Sequence, residues 1–233
     1  MGSRWAESAL SWWEEAGVDT IVGEEPRDWL ASPKSVVAKV VEPVPAPAEI
    51  LPDNLSTFQA WLAATDAIPF ASPSARRVSP AGDPAAGLMV ITDMPTAEEA
   101  ATGTIFSGEA GALVDRMFKA IGRDRETIYL APFSPIRPSV GRIDADGVRF
   151  LTDVMRHHIG LAAPKALLIF GDSCSRALLG EPMTQARGRW HDIETPQGPV
   201  RALVTIRPQE LLTQPKLKAH AWTDLQMLAE GLK

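Results

Sequence analysis

The sequence predicts a three-layer α/β/α fold, in which a central, mostly parallel four-stranded sheet lies between helices and follows an N-terminal helical leader. Short apolar runs of strand length alternate along the chain with segments whose apolar residues recur at helical spacing. The runs at 88–92 and 166–170 are almost continuously apolar, as in parallel strands covered on both faces. Strands and helices that alternate in this way favour a parallel sheet between two helical layers.

Residues 1–32 form an acidic, tryptophan-rich leader. Trp5, Ala9, Trp12, Trp13 and Ala16 recur at helical spacing, and four of the seven tryptophans lie within the first 30 residues. The same 30 residues hold seven acidic and two basic side chains, a net charge of −5. Trp12 and Trp13 either dock the leader on the rest of the chain or bind a partner protein, since tryptophan is frequent among interface hot spots.

A proline-rich linker at residues 33–53 separates the leader from a domain at residues 54–233. Five prolines among valine and alanine are typical of an extended, semi-rigid spacer. The polar run 54–57 predicts the start of the first helix of the domain. Residues 71–87, rich in serine, proline and alanine, are expected to be loop.

The stretch from Leu88 to Gly122 organises the domain. An apolar strand is followed by Asp93-Met94-Pro95, where the proline ends the strand because it lacks a backbone donor. A loop with Gly103, Gly108 and Gly111 leads into a helix that stops at Gly122. An acid at the carboxyl end of a buried strand, facing a glycine-rich loop, is where open α/β sheets bind ligands.

The remaining elements continue the alternation. We expect strands at 127–131, 166–170, near 191–194 and at 200–206, and helices at 148–161, 174–179 and 215–232.

Composition excludes several classes of function. The net charge of −6 does not indicate a nucleic-acid-binding protein by itself. No apolar run approaches the length of a membrane span and no secretory signal is present, so we expect a cytoplasmic protein without membrane contact. Cys174 is the single cysteine, which leaves no cysteine-based metal site and no disulfide.

An ordered set of motifs resembles the uracil-DNA glycosylase superfamily, most closely its family 4, the iron–sulfur type. The matching landmarks are Asp93-x-Pro95, the 103–111 run GTIFSGEAG, Arg137-Pro138, the 164–171 run PKALLIFG, the 187–190 run RGRW, and Pro208 with Leu211-Leu212. The resemblance covers most of the chain from Asn54 onward. It implies the same fold and an origin among DNA-repair proteins.

The resemblance also implies a cofactor that this chain cannot hold. Active family members bind a 4Fe–4S cluster through four cysteines, and the corresponding positions here are Ile68, the 69–72 segment, Ile136 and Leu151. None of these can ligate iron, so we expect no cluster, no other metal, and apolar packing in its place.

By the same resemblance, Asp93 is the catalytic acid and Phe106, Pro95 and Gly108 belong to the base-binding pocket. Asp93 is alternatively a strand-end turn former, and Phe106 a loop-packing residue. The base-reading amide of the family falls near Pro132, which has no donor, and the family histidine falls at Arg207. Removal of one preorganised donor typically costs about 3–4 kcal/mol in barrier, so we expect little or no uracil excision.

A surface for DNA would remain on the loops that face DNA in relatives. Its basic residues are Arg187, Arg189, Arg207, Lys216 and Lys218. The alternative is a solvated basic edge that balances the acidic leader.

Three hypotheses follow. The chain is a catalytically degraded homologue that binds DNA or a repair complex, or an active glycosylase with altered base preference that uses Asp93 and Arg207. The third is a replisome adaptor, because the leader, the linker, Asp93-x-Pro95 and Trp222 also resemble the psi subunit of the bacterial clamp loader. That hypothesis accounts for the acidic leader, which the glycosylase hypotheses leave unexplained.

Overall fold

A six-stranded sheet forms the centre of the computed structural model, which describes residues 51–138 and 141–232. The strands are β1 (Ala81–Gly82), β2 (Leu88–Thr92), β3 (Tyr129–Pro132), β4 (Ala166–Phe170), β5 (His191–Ile193) and β6 (Val200–Thr205). The leader, including Trp12 and Trp13, and almost all of the linker lie outside the described residues, so their predicted roles stay predictions.

The strand order is β1-β3-β2-β4-β6-β5. The four inner strands are parallel, and β1 and β5 pair antiparallel at the two edges. The predicted α/β class with a mostly parallel sheet is therefore confirmed. The predicted number of four strands is wrong for the whole sheet, because the strand expected near 191–194 joins it as the edge strand β5 and the two-residue β1 was not predicted.

Helices cover both faces of this sheet. They are α1 (Leu55–Ala64), α2 (Ala97–Thr102), α3 (Gly108–Ala120), α4 (Ala145–Ala162), α5 (Asp172–Leu179), α6 (Met183–Ala186), α7 (Pro208–Thr213) and α8 (Lys218–Gly231). Alternate residues of β2 enter different apolar clusters. Met89 and Ile91 pack with residues of α1, α4 and α5, whereas Leu88 and Val90 pack with residues of α3 and α8. These two clusters confirm the predicted layers.

Most predicted elements are present with small shifts of their ends. Asn54 caps α1 as expected, since its side chain accepts hydrogen bonds from the backbone of Ser56 and Thr57. The predicted loop that carries Gly103, Gly108 and Gly111 is wrong in part, because α2 lies within it and α3 already includes Gly108 and Gly111. A capping box explains α2: Thr96 and Glu99 each accept a hydrogen bond from the backbone of the other. No helix in the described ranges is long and apolar enough to cross a membrane.

Candidate active-site cleft

A cleft of about 280 Å³ opens at the carboxyl ends of the parallel strands. It follows β2, β4 and β6, and the segments around Glu99 and Arg137 complete its wall. The lining residues are Thr92, Asp93, Met94, Thr96, Glu99, Arg137, Gly141, Ser173, Arg207 and Gln209.

Asp93 lies in this cleft directly after β2, as predicted, and its residue surface is only 6% exposed. Its Oδ1 atom accepts hydrogen bonds from the backbone N–H and the thiol of Cys174, both at 3.2 Å. Cys174 belongs to the first turn of α5, which begins two residues after the end of β4. The end of β4 therefore positions the N–H and the thiol that donate to Asp93. Burial raises the pKa of Asp93 above its usual range, and the Cys174 hydrogen bonds and the Arg207 charge oppose this shift only in part.

Arg207 meets Asp93 in the cleft. Its Nη1 atom lies 3.3 Å from Oδ2 of Asp93, and its Nη2 atom lies 2.8 Å from a carboxylate oxygen of Glu210. The two residues that the sequence marked for catalysis are thus brought together. The guanidinium is held between two carboxylates, and its side chain remains 40% exposed at the cleft.

Gly171 makes this arrangement possible. It follows β4 with φ of +94°, a conformation that disfavours any residue with a Cβ. A Cβ there would lie 2.6 Å from the Arg207 side-chain stem and 3.0 Å from the Asp93 carboxylate. The glycine of the sequence motif therefore keeps open the space where the two catalytic candidates meet.

Cys174 adds a buried thiol to the site. It is fully buried, and its sulfur donates to Asp93. Burial and the adjacent Asp93 raise the pKa of the thiol well above its ordinary value, so it stays protonated and a donor. In the sequence, Cys174 is notable only as a single cysteine, which leaves no disulfide and no cysteine-based metal site. Its contact with Asp93 joins positions 81 residues apart and gives no local signal.

Glu99 is a second residue that sequence reasoning missed. Its side chain is buried, and its two carboxylate oxygens accept hydrogen bonds of 2.7 Å from the backbone N–H groups of Thr96 and Phe106. The spacing Thr96-x-x-Glu99 is a capping-box signature and could have indicated both the helix and this acid. Glu99 ties the cleft wall to the loop that carries Phe106.

Phe106 is buried in the core next to this loop. Only 1% of its surface is exposed, and its ring makes an edge contact with Phe170 at 5.4 Å between centroids. Its backbone has φ of +54°, and Arg125 binds its carbonyl oxygen at 2.7 Å. Gly111 permits this loop, because a Cβ there would lie 1.8 Å from the same carbonyl. In this structure Phe106 is a packing residue, as the alternative interpretation expected. Its role in stacking on a base stays a prediction.

The other predicted base-binding residues lie at the margin of the cleft. Pro95 is buried between two lining residues, and its carbonyl accepts a hydrogen bond of 3.1 Å from Arg137. Gly108 is exposed at the start of α3 and is outside the lining set. Pro132, where the family amide was expected, ends β3 as a buried residue. Within the lining set, the side-chain amide is that of Gln209, which was not predicted.

The predicted DNA-binding residues have different environments. Arg187 forms an internal ion pair with the buried Asp224, at 2.9 Å, and Arg189 pairs with Glu181 at the surface. Lys216 and Lys218 are exposed around the start of α8. Neither of these two lysines forms an ion pair with a residue that the structure describes.

The positions that correspond to cluster ligands in relatives are apolar and packed. Ile68, Ile136 and Leu151 are each no more than 2% exposed and belong to one apolar cluster of the core. The single cysteine of the chain is hydrogen-bonded to Asp93 instead. Apolar side chains at these positions do not fit an iron–sulfur cluster, which needs thiolate ligands.

Comparison with known proteins identifies relatives of this architecture. The family model described as the uracil DNA glycosylase superfamily matches residues 79–226. The chain is similar to the type-4 uracil-DNA glycosylase of Pyrobaculum aerophilum, with 23% identity over 157 residues that cover 64% of this chain and 80% of the relative. It is also similar to the type-4 uracil-DNA glycosylase of Archaeoglobus fulgidus, with 21% identity over 156 residues that cover 64% and 78%.

Proposed function

Because the chain belongs to the uracil-DNA glycosylase superfamily, we propose that it is a DNA-repair protein that binds DNA but has lost efficient uracil excision. The observation that carries this proposal is the Arg207 guanidinium, held between the carboxylates of Asp93 and Glu210. At this position the resemblance expects a histidine that faces the departing base. A cation already paired with two carboxylates has less charge to offer an anionic leaving group.

Two further features support reduced excision. Phe106 has no exposed ring face on which a base could stack, and Pro132 offers no amide to read one. Asp93 is retained, but its buried carboxylate with a raised pKa is closely held by Cys174 and Arg207. Each preorganised donor that is removed from a site of this kind lowers the rate by on the order of a hundredfold or more.

DNA binding would depend on exposed cations near the carboxyl ends of the parallel strands. Lys216 and Lys218 are exposed, and Lys218 begins α8, which follows the Arg207 segment. Lysines at such positions contact phosphates without reading sequence. The protein is proposed to act without an iron–sulfur cluster, since Ile68, Ile136 and Leu151 pack as core residues.

A salt series tests this function directly. Fluorescence anisotropy of a labelled duplex should show binding that weakens with salt, and the double substitution Lys216→Ala/Lys218→Ala should weaken it at every salt concentration. The slope of log affinity against log salt should fall by about 1 for each phosphate that the variant no longer binds. Lys165→Ala is the control, because this exposed lysine comes just before β4 and so lies at the end of the sheet where the parallel strands begin. Equal DNA binding by both variants and the wild type would show that Lys216 and Lys218 do not form the DNA-binding surface.

An active glycosylase with another base preference is the second candidate. The meeting of Asp93 and Arg207 in one cleft favours it, because an acid and a cation there can serve the sugar and the departing base. Base release from oligonucleotides containing uracil, hypoxanthine or xanthine, abolished by Asp93→Ala, would establish this activity. The clamp-loader hypothesis depends on the leader outside the described residues, and it stays a prediction.

A further inference from the structure

Phe70 is a large apolar side chain that stays exposed on a strained turn. The backbone N–H of Ala71 closes the turn by donating to the carbonyl of Ile68 at 3.0 Å, so Pro69 and Phe70 are its central residues. Phe70 has φ of +68°, which makes this a type II turn, and its position normally requires glycine or asparagine. Phenylalanine in this conformation carries backbone strain that glycine would not carry.

Burial of the ring does not compensate for this strain. Phe70 is 41% exposed and belongs to neither apolar cluster of the described residues. Its neighbours Ile68 and Ala71 do pack on the core, and they fix the backbone of the turn. Strain of this kind persists mostly where a function requires it, so the exposed ring indicates a binding contact.

The turn lies at the same end of the sheet as the cleft. Pro69 lies against the first turn of α4, 3.3 Å from the position that a Cβ would take on Gly147. Because α4 crosses over from the end of β3 to the start of β4, its first turn lies at the carboxyl ends of the parallel strands. Arg76 is anchored on α2, which follows β2, since its Nη1 atom donates to the carbonyl of Ala101 at 2.9 Å. Phe70 therefore shares a face of the molecule with the cleft.

The residues around the ring fit DNA better than they fit a protein partner. Residues 67–82 hold two arginines and no acidic residue. Arg76 is exposed and forms no ion pair within the described ranges, so its charge is available to a phosphate. An aromatic ring beside such a cation suits a nucleic-acid strand, because the ring can stack on the face of any base. A protein interface would need a wider apolar patch, but the exposed neighbours at 72–74 are two serines and a proline.

We propose that Phe70 stacks on a base of bound DNA outside the cleft, at a step where the base stack is open. The inference rests on the proposed DNA-binding function and adds a contact with a base face, which Lys216 and Lys218 do not provide. An intact duplex keeps its base faces within the stack, so a gap or a single strand favours this contact. Stacking of this kind depends on an open step and tolerates any base there.

Fluorescence anisotropy with the full-length protein tests this contact on three labelled DNAs: an intact duplex, the same duplex with a one-nucleotide gap, and one of its strands alone. We expect the wild type to bind the gapped duplex several-fold more tightly than the intact duplex. Phe70→Ala should weaken binding to the gapped duplex by on the order of tenfold, because one stacked base is lost. Phe70→Trp keeps an aromatic ring and should keep the wild-type affinity. An equal loss on the single strand would identify a single-stranded ligand, and a loss confined to the gapped duplex would identify an open duplex step.

Phe70→Gly separates stacking from stability. It removes the ring as Phe70→Ala does, but it also relieves the strain of the positive φ. It should therefore resist urea better than Phe70→Ala and bind the gapped duplex just as weakly. Ala163→Gly is the matched control, because Ala163 also has a positive φ, of +44°, and is exposed just before β4, where the parallel strands begin. This control should keep the wild-type affinity for all three DNAs.

Three results would overturn the inference and leave DNA binding standing. They are a wild type that binds the intact duplex as tightly as the other two DNAs, wild-type affinity in Phe70→Ala and Phe70→Gly, and affinities that follow the stability of the variants instead of the presence of a ring. Failure of the wild type to bind any of the three DNAs would overturn both the inference and the proposed function.

Discussion

The Nη1 atom of Arg207 lies 3.3 Å from Oδ2 of Asp93, although 114 positions of sequence separate the two residues. They follow β6 and β2, which are not neighbours, since β4 lies between them in the sheet. The pair therefore spans the end of the intervening strand, where Gly171 leaves room for the Arg207 stem. The charge balance of the cleft depends on this ion pair.

Gly171→Ala should separate Arg207 from Asp93. The new methyl group would meet the arginine stem, and the positive φ would add about 1–2 kcal/mol of backbone strain. Gly180→Ala is the control, because it has φ of +76° with nothing within 4 Å of its Cβ position. Both variants should lose stability in urea denaturation, but only Gly171→Ala should also change binding to duplex DNA. Equal DNA binding by the two variants would show that the close approach at Gly171 is unimportant.

Cys174→Ala should raise the pKa of Asp93 further. The thiol donates to the ionised carboxylate and so favours that form, and its removal favours the protonated one. Cys174→Ser keeps a donor and should restore most of the wild-type value. A titration of the Asp93 carboxyl carbon by NMR measures this directly. The same pKa in the wild type and the alanine variant would mean that the thiol does not position Asp93.

His158 should make the fold sensitive to mild acid. It is 1% exposed, and its Nε2 atom lies 2.8 Å from the hydroxyl of Tyr129. Burial, with a smaller contribution from His157, lowers the pKa of His158 to about 3, compared with about 6.5 when unfolded. Its stabilising contribution is therefore complete above pH 6.5 and is lost as the pH falls toward 3. Between pH 7 and pH 5 the wild type should lose about 2 kcal/mol more unfolding free energy than His158→Gln.

Urea denaturation at a series of pH values measures this difference, since the other titratable groups are shared by the two proteins. Parallel pH profiles for the wild type and His158→Gln would contradict the neutral, buried state of this histidine.

Leu151→Ala should destabilise the apolar packing that takes the place of a cluster. Leu151 is fully buried on α4, so its truncation should cost about 3 kcal/mol of unfolding free energy. Leu161→Ala, on the same helix but partly exposed, should cost less. The protein purified without oxygen should contain no stoichiometric iron and show no absorbance near 400 nm. Bound iron, or a negligible effect of Leu151→Ala, would contradict this packing.

The sequence predicted the central elements well because their signals are local. The apolar runs of β2 and β4 match the observed strands, and the cap at Asn54 begins α1. The place of Asp93 at a strand end also followed from the run before it and the proline after it. Local patterns of this kind need no knowledge of the rest of the chain.

Other features depend on distant contacts and had no such signal. A two-residue strand such as β1 is too short for any periodicity, and the burial of Phe106 depends on Glu99, Gly111 and Arg125 together. Arg187 was predicted to face DNA, but its partner Asp224 lies 37 positions away. The partners of a long cationic side chain are set by tertiary packing, which a motif does not report.

Uracil release under single-turnover conditions tests the central claim most directly. A labelled duplex with one uracil is incubated with excess protein, and abasic sites are counted over time beside a protein-free sample. The account predicts salt-sensitive binding of this duplex with no abasic product above the protein-free level. Stoichiometric uracil release that Asp93→Ala abolishes would contradict it and would establish an active glycosylase.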